Sequence, residues 1–417
     1  MIKKALIFIG GIALGGVVAF FIVKGSEQAP APAPEPPQRP SWMAAPQPEI
    51  NPQQQEKDRA LIVGVIGPET GEESFYGLAV LEGIRMAGER FNADGGVGGR
   101  DIEIVHYDNS GGTSQAHNIT SDLISQNVVA IFSAPTGAST FAPTQQINAS
   151  DTIFISIGTR RKIGRSGNYI FHYSLSDEIA VAEMLKYSVN DLGFQNYALV
   201  TSSSYDYSLS ISSVFKQAIS KSGGQIVIEA DTYDTYTGSS NFPGVVAALK
   251  AAPQEVQALI FTGGAEEAAL LARAVQDGGL NLPLIGGEDL FSEEFLKQGG
   301  DAVNGALFYA TFAPDAPSPL TAQFVRDHVD RMNAPPGRFT ALAYDAFTQL
   351  AEAMKTAGSL KSSDVRGTML DMRESNGVTG TSHWSPAGEP IKKPFLYRVE
   401  SDEVGGKFVL LRARGDQ

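Results

Sequence analysis

From Ala60 onward the chain switches repeatedly between two hydrophobic periods. Short, nearly unbroken apolar runs fall at 60–66, 102–107, 128–133, 153–156, 197–201, 225–230, 257–262, 283–286 and 305–311. Runs of that length, bounded by glycine and small polar residues, predict buried strands. Between them apolar positions recur at three- and four-residue spacing. Leu81, Ile84, Ala87 and Phe91 share one helical face, and 177–192, 208–221 and 265–277 carry amphipathic patterns too. Asp94-Gly95-Gly96 and Gly98-Gly99 close the first helix, because glycine reaches backbone angles that other residues avoid. With the strand before it, Thr70 to Gly112 reads as a βαβ unit: turn, helix, glycine turn, strand. Such alternation predicts parallel sheets covered by helices. Two successive series, starting near 60 and near 197, predict two similarly built lobes.

The pattern before Ala60 is different. Lys3-Lys4 precede an apolar run from Ala5 to Val23, which Lys24 ends. At about 1.5 Å per residue this run approaches the ~30 Å bilayer core. It exceeds the usual apolar stretch of a cleaved secretory signal and offers only Val23-x-Gly25 as a processing site. The expectation is one N-terminal membrane helix, an uncleaved signal anchor over 1–24, with a cleaved signal as the alternative. Lys3 and Lys4 place the N-terminus in the cytoplasm and the rest across the membrane. Gly11 and Gly15 have GxxxG spacing, which pairs membrane helices but is also common in signal segments. Residues 25–58, rich in Pro, Ala and Gln, read as an extended spacer without a core.

Composition narrows the chemistry. The 417 residues suffice for two domains, and 42% hydrophobic with 19% charged residues is ordinary for a globular chain. A net charge of −14 argues against nucleic acid as a partner. With no cysteine there is no disulfide, thiol catalysis, Cys-bound metal or lipid-modified cysteine anchor. The five histidines, His106, His117, His172, His328 and His383, form no HxxxH or HExxH spacing, and neither GxSxG nor a Walker lysine occurs. No catalytic site, metal or cofactor is expected. The glycines at 95–99 follow a helix and precede a strand, the reverse of a dinucleotide fingerprint. After the run 128–133, SAPTGASTFAP leads into a helix. Ser139 and Thr140, with the amide of Gly137, suit a ligand carboxylate there; equally, either hydroxyl can cap the helix.

The run from Thr70 through YGLAVLEGI and FNADGGVGGRDIEIVHYD resembles the opening of type I periplasmic binding proteins, in particular the Leu/Ile/Val-binding receptors of ABC transporters. Ile155-Ser156-Ile157-Gly158-Thr159, Ser204-Tyr205-Asp206-Tyr207, Gly286-Gly287-Glu288 and Thr340-Ala341-Leu342-Ala343-Tyr344-Asp345-Ala346-Phe347 follow in the family's order, so the resemblance spans roughly 60–412. It implies two doubly wound, Rossmann-like lobes joined by a hinge of three crossings, near Asp177, Thr311 and Ser385. Lobe 1 would be 60–177 plus 312–385, and lobe 2 would be 178–311 plus 386–412. The ligand would lie in the cleft, at the carboxyl ends of the strands.

The resemblance also implies site residues. The turn at Gly158 and Thr159 would offer a carbonyl and a hydroxyl to the head group of an amino acid. Arg160, next in line, suits an acidic ligand, or belongs with Arg161 and Lys162 to a solvated basic loop. Glu288 matches the acid that takes the ligand's ammonium; its bland alternative is a helix-start carboxylate beside Asp289 and Ser292. Tyr76 and Tyr207 match aromatics that cover the ligand from lobe 1 and lobe 2, with Phe75 or Tyr205 in their place if the register slips by one. After Gly263-Gly264, where such receptors often carry a further aromatic, this chain has Ala265-Glu266-Glu267. The functional expectation is a periplasmic receptor, tethered to the inner membrane, that hands an amino acid-like or amide solute to an ABC permease. The alternative is a tethered sensor or activator of a membrane or cell-wall partner built on the same fold.

Overall fold

The computed structural model describes residues 59–159, 162–401 and 406–411, the side chain of Asp206 excepted. Parallel sheets form where the apolar runs predict them. The first sheet builds from β1 (Leu61–Gly67), α1 (Ser74–Ala93), β2 (Ile102–Asp108), α2 (Thr113–Ser125), β3 (Ala130–Ser133), α3 (Ala138–Phe141), α4 (Thr144–Ser150), β4 (Ile153–Ile157) and β5 (Ile170–Tyr173). Its order is β2-β1-β3-β4-β5 and every pairing is parallel. Val63, for example, lies between Ile104 and Ala130.

The second series follows: α5 (Asp177–Asn190), β6 (Asn196–Thr201), α6 (Asp206–Ser222), β7 (Gln225–Asp231), the small hairpin of β8 (Tyr233–Asp234) and β9 (Ser239–Ser240), α7 (Phe242–Lys250), β10 (Ala258–Phe261), α8 (Ala265–Asp277), β11 (Leu284–Gly286), α9 (Glu293–Gly299) and β12 (Leu307–Ala310). The chain then returns through α10 (Pro319–Met332), α11 (Arg338–Ala357) and α12 (Ser362–Asp371), and adds a three-stranded antiparallel sheet of β13 (Ser375–Gly377), β14 (Gly380–Trp384) and β15 (Pro390–Lys392). Finally β16 (Phe395–Glu400) and β17 (Lys407–Leu411) join the second sheet antiparallel, in the order β17-β16-β12-β11-β10-β6-β7.

Side-chain burial divides along the same line. Phe132, Ile155, Leu342, Phe347, Met369 and Trp384 share one core, which joins the first sheet to α11, α12 and β14. The second sheet is buried on both faces, Phe261, Phe308 and Tyr397 on one and Ile260, Ile285 and Leu396 on the other. The chain passes between the lobes after Tyr173, after Ala310 and between Lys392 and Phe395. The third passage thus lies beyond Ser385. Residues 385–392 are held to the first lobe, where Gly388 O accepts from His172 N–H at 2.8 Å and His383 faces Ile391 in the β14–β15 pair.

Two features of the first lobe position the site. Helices α1 and α11 run in close contact because Gly83 lacks a side chain; a Cβ there would lie 2.2 Å from Thr340 O. That contact fixes the amino end of α11, and Arg338 with it. Midway along α11, the buried Asp345 accepts from the N–H groups of Val378 and Thr379, each at 2.8 Å, and from the Thr379 hydroxyl. Lys392, also buried, donates to that hydroxyl, so Thr379 stands between the two charges. Burial raises the carboxyl pKa of Asp345. Burial likewise pushes the Lys392 ammonium down to about 8, against the pull of Asp345 and Glu288.

The expected N-terminal membrane helix and the spacer over 25–58 lie outside the described residues. Among the described residues no helix is long and apolar enough to cross a membrane.

Candidate functional site

The carboxyl ends of strands from both sheets converge on one cleft. Gly158 follows β4 and Ser174 follows β5 on the first lobe; Thr262 follows β10, Gly287 and Glu288 follow β11, and Thr311 follows β12 on the second. Polar backbone left unpaired at strand ends, together with loop side chains, makes this the natural ligand position in open α/β sheets. The amino end of α11 closes the cleft with Arg338, Phe339 and Leu342, and α5 and α6 bring Asp177, Tyr207, Ile211 and Phe215.

Glu288 is the best-fixed charge there. Its Oε1 accepts from Thr311 N–H at 2.6 Å and its Oε2 from the Thr311 hydroxyl at 2.9 Å. Thr311 itself is buried at the second passage between the lobes, so the carboxylate is referenced to the hinge. From the first lobe Arg338 faces this acid and its neighbour, with Nε 3.7 Å from Glu288 and Nη2 3.5 Å from Asp289. The guanidinium lies 4.9 Å from the centre of the Phe339 ring. Asp177 adds a third carboxylate and accepts from the Tyr207 hydroxyl at 2.7 Å.

Of the residues expected from sequence, Gly158, Tyr207 and Glu288 line this cleft. Gly158 has φ +66°, and a Cβ there would meet the Phe339 ring at 2.6 Å, so only glycine allows the ring to lie on the turn. Tyr76 packs edge-on against the same ring, 4.9 Å between centres, and does not itself line the cleft. Thr159 is buried, and its carbonyl accepts from His172 Nε2 at 2.5 Å, while His172 Nδ1 meets Glu389 at 2.6 Å. Arg160 and Arg161 lie outside the described residues.

Gly137, Ser139 and Thr140 form a separate turn. Gly137 has φ +60° and is exposed. Ser139 and Thr140 are buried with their hydroxyls engaged locally: Ser139 with Thr136, and Thr140 donating to Ala134 O at 3.2 Å while accepting from Thr136 N–H at 3.1 Å. This is neither a cap on the helix behind nor part of the lining of the cleft. Sequence reasoning missed Arg338, Asp177 and Thr311 as cleft residues. Arg338 stands two positions ahead of the helix-start motif Thr340–Phe347, a signal that only the helix's direction makes useful.

A family model described as periplasmic binding protein matches residues 61–404. Leu/Ile/Val-binding protein homolog 3 of Brucella melitensis is 26% identical over 352 residues, covering 83% of this chain and 93% of the relative. A crystal structure of a candidate branched-chain amino acid ABC transporter protein from Rhodospirillum rubrum superposes with a TM-score of 0.75 at 26% identity, covering 84% of this chain and all of that one (100%). The solute-binding protein of an ABC transporter from Rhodopseudomonas palustris, solved with 3,4-dihydroxybenzoic acid, shares the fold at a TM-score of 0.67 and 19% identity, covering 84% and 96%. A bilobed α/β receptor with its cleft at the strand ends is the class that fold and site define. The chain belongs to the periplasmic binding protein family.

Proposed function

We propose that this protein is the solute receptor of an ABC transporter, taking an amino acid-like or amide solute between its lobes and presenting it to a membrane permease. The observation that carries the reading is the acidic cleft built from the strand ends of both lobes, with Glu288 fixed by two hydrogen bonds from Thr311. A half-buried carboxylate facing shared space is stabilised by a cation, and the ammonium of an amino acid is such a partner. Tyr207 covers the ligand from the second lobe, and the carbonyl of Gly158 contributes from the first. The Brucella relative supports an amino acid by its name. The dihydroxybenzoic acid of the Rhodopseudomonas protein keeps fold and ligand separate questions. Burial of the solute favours the closed form, and that form is the one a permease would engage. The work of such a site is capture, not catalysis.

The receptor is periplasmic, and residues 5–23 hold it to the inner membrane with 25–58 as the spacer. A mature N-terminus at Met1 and retention in membranes after a salt wash are the expected results; an N-terminus near Ser26 would overturn the tether. The receptor role is tested by thermal shift of the full chain against amino acids, amides, small carboxylates and peptides. Binding to the folded protein alone raises its melting temperature with ligand concentration. A selective rise with amine- or amide-bearing solutes is expected. No rise across the panel would overturn the receptor reading in favour of a tethered sensor or activator.

A further inference from the structure

We infer that Arg338 is the carboxylate-binding group of the cleft, and that a zwitterionic ligand binds by splitting the pair Arg338 makes with Glu288 and Asp289. The inference rests on the cleft being the solute site and assigns the half of the ligand that Glu288 leaves unassigned. Among the described residues lining the cleft, Arg338 is the one cation, set against Asp177, Glu288 and Asp289. An anionic group entering this space has no other positive partner on the described walls. The hydroxyl turn at Ser139 and Thr140 does not line the cleft, and its hydroxyls are already bonded within the turn.

The geometry of Arg338 suits exchange. Its contacts to Glu288 and Asp289, 3.7 and 3.5 Å, are ion pairs at longer than ordinary hydrogen-bond length, so the fork is held near both acids and locked to neither. Glu288 has its firm bonds elsewhere, from Thr311, and keeps its position when the guanidinium moves. The Phe339 ring supports the guanidinium from behind. Arg338 belongs to the first lobe and the two acids to the second. A zwitterion laid between them exchanges one loose pair for two: its ammonium on Glu288 and Asp289, its carboxylate in the Arg338 fork, with no change in the net charge of the cleft. A simple amine gains Glu288 only by displacing Arg338, and a simple acid gains Arg338 only by taking it from Glu288. Specificity for amino acids over both follows from one internal pair.

Calorimetry on the full-length protein tests this with the twenty standard L-amino acids, and then with the decarboxylated amine and the deaminated acid of the tightest binder. For Arg338→Gln, the amino acid should lose at least tenfold in affinity while the amine holds or gains. Arg338→Lys, which keeps the charge and loses the fork, should fall between wild type and Arg338→Gln. Amino acid affinity within threefold of wild type in Arg338→Gln would overturn the inference and leave the receptor reading standing. Equal losses for amino acid and amine would also overturn it, since Arg338 would then serve only to draw the lobes together. If none of the twenty binds the wild type, the amino acid reading of the site fails and this inference with it.

Discussion

Glu288 shows how one carboxylate acquires direction: two hydrogen bonds from Thr311 fix it to its own lobe and leave its charge turned toward the other. Glu288→Gln keeps the shape and removes the charge, so affinity for an amine-bearing solute should fall by at least about 2 kcal/mol. Calorimetry reading an unchanged affinity would remove Glu288 from the site. Gly158 carries a different burden, a left-handed backbone with an aromatic ring where a Cβ would stand. Gly158→Ala should lower unfolding free energy by about 1–3 kcal/mol, and a loss under about 0.5 kcal/mol in urea would contradict that account. Glu288 was legible in the sequence because, after the apolar run 283–286, it stands where the resembled receptors carry their acidic residue. Arg338 and Asp177 were not, since each sits at the start of a helix whose direction, not its residues, brings it to the cleft.

At the scale of elements, apolar period found nine strands; it passed over β16 and β17, whose apolar residues it could have read, and missed others it had no means to see. β5 is four residues with a histidine inside, and β13 to β15 are short and polar; their partners are supplied by the fold. The elements around Lys392 and Asp345 are tied by charge instead of by period. Asp345→Ala would leave Lys392 buried without its counter-charge, and a loss of about 3–5 kcal/mol is expected on denaturation. The lysine also gives a pH signature. Its folded pKa, about 8, lies below the unfolded value, so between about pH 8 and 10.5 the unfolded chain binds more protons and stability rises with pH. Wild type should therefore gain on Lys392→Met across that window, approaching about 3 kcal/mol at about 1.4 kcal/mol per pKa unit. A difference that stays flat from pH 7 to 10.5 would refute the burial of a charged lysine there.

For the whole molecule, three passages join the lobes, and Arg338 spans the cleft to Glu288 and Asp289. Those groups are partly exposed, so salt screens them. The radius of gyration of the ligand-free protein should grow between low and 1 M salt, while the ligand-bound form holds its size. X-ray scattering that shows no growth would mean the pair does not hold the lobes together. The alternation of strands and helices told of two lobes, and the family resemblance implied crossings near Asp177, Thr311 and Ser385; the residues that bury together put the third between Lys392 and Phe395. That threading has a temporal side. The core of the first lobe waits for Leu342, Phe347 and Trp384, and that of the second for Leu396, Tyr397 and Val399. Neither lobe can complete itself until almost the whole polypeptide has left the ribosome. In a family of periplasmic proteins, the late arrival of both cores acts as a clock, leaving neither lobe locked before nearly all of the chain has been made.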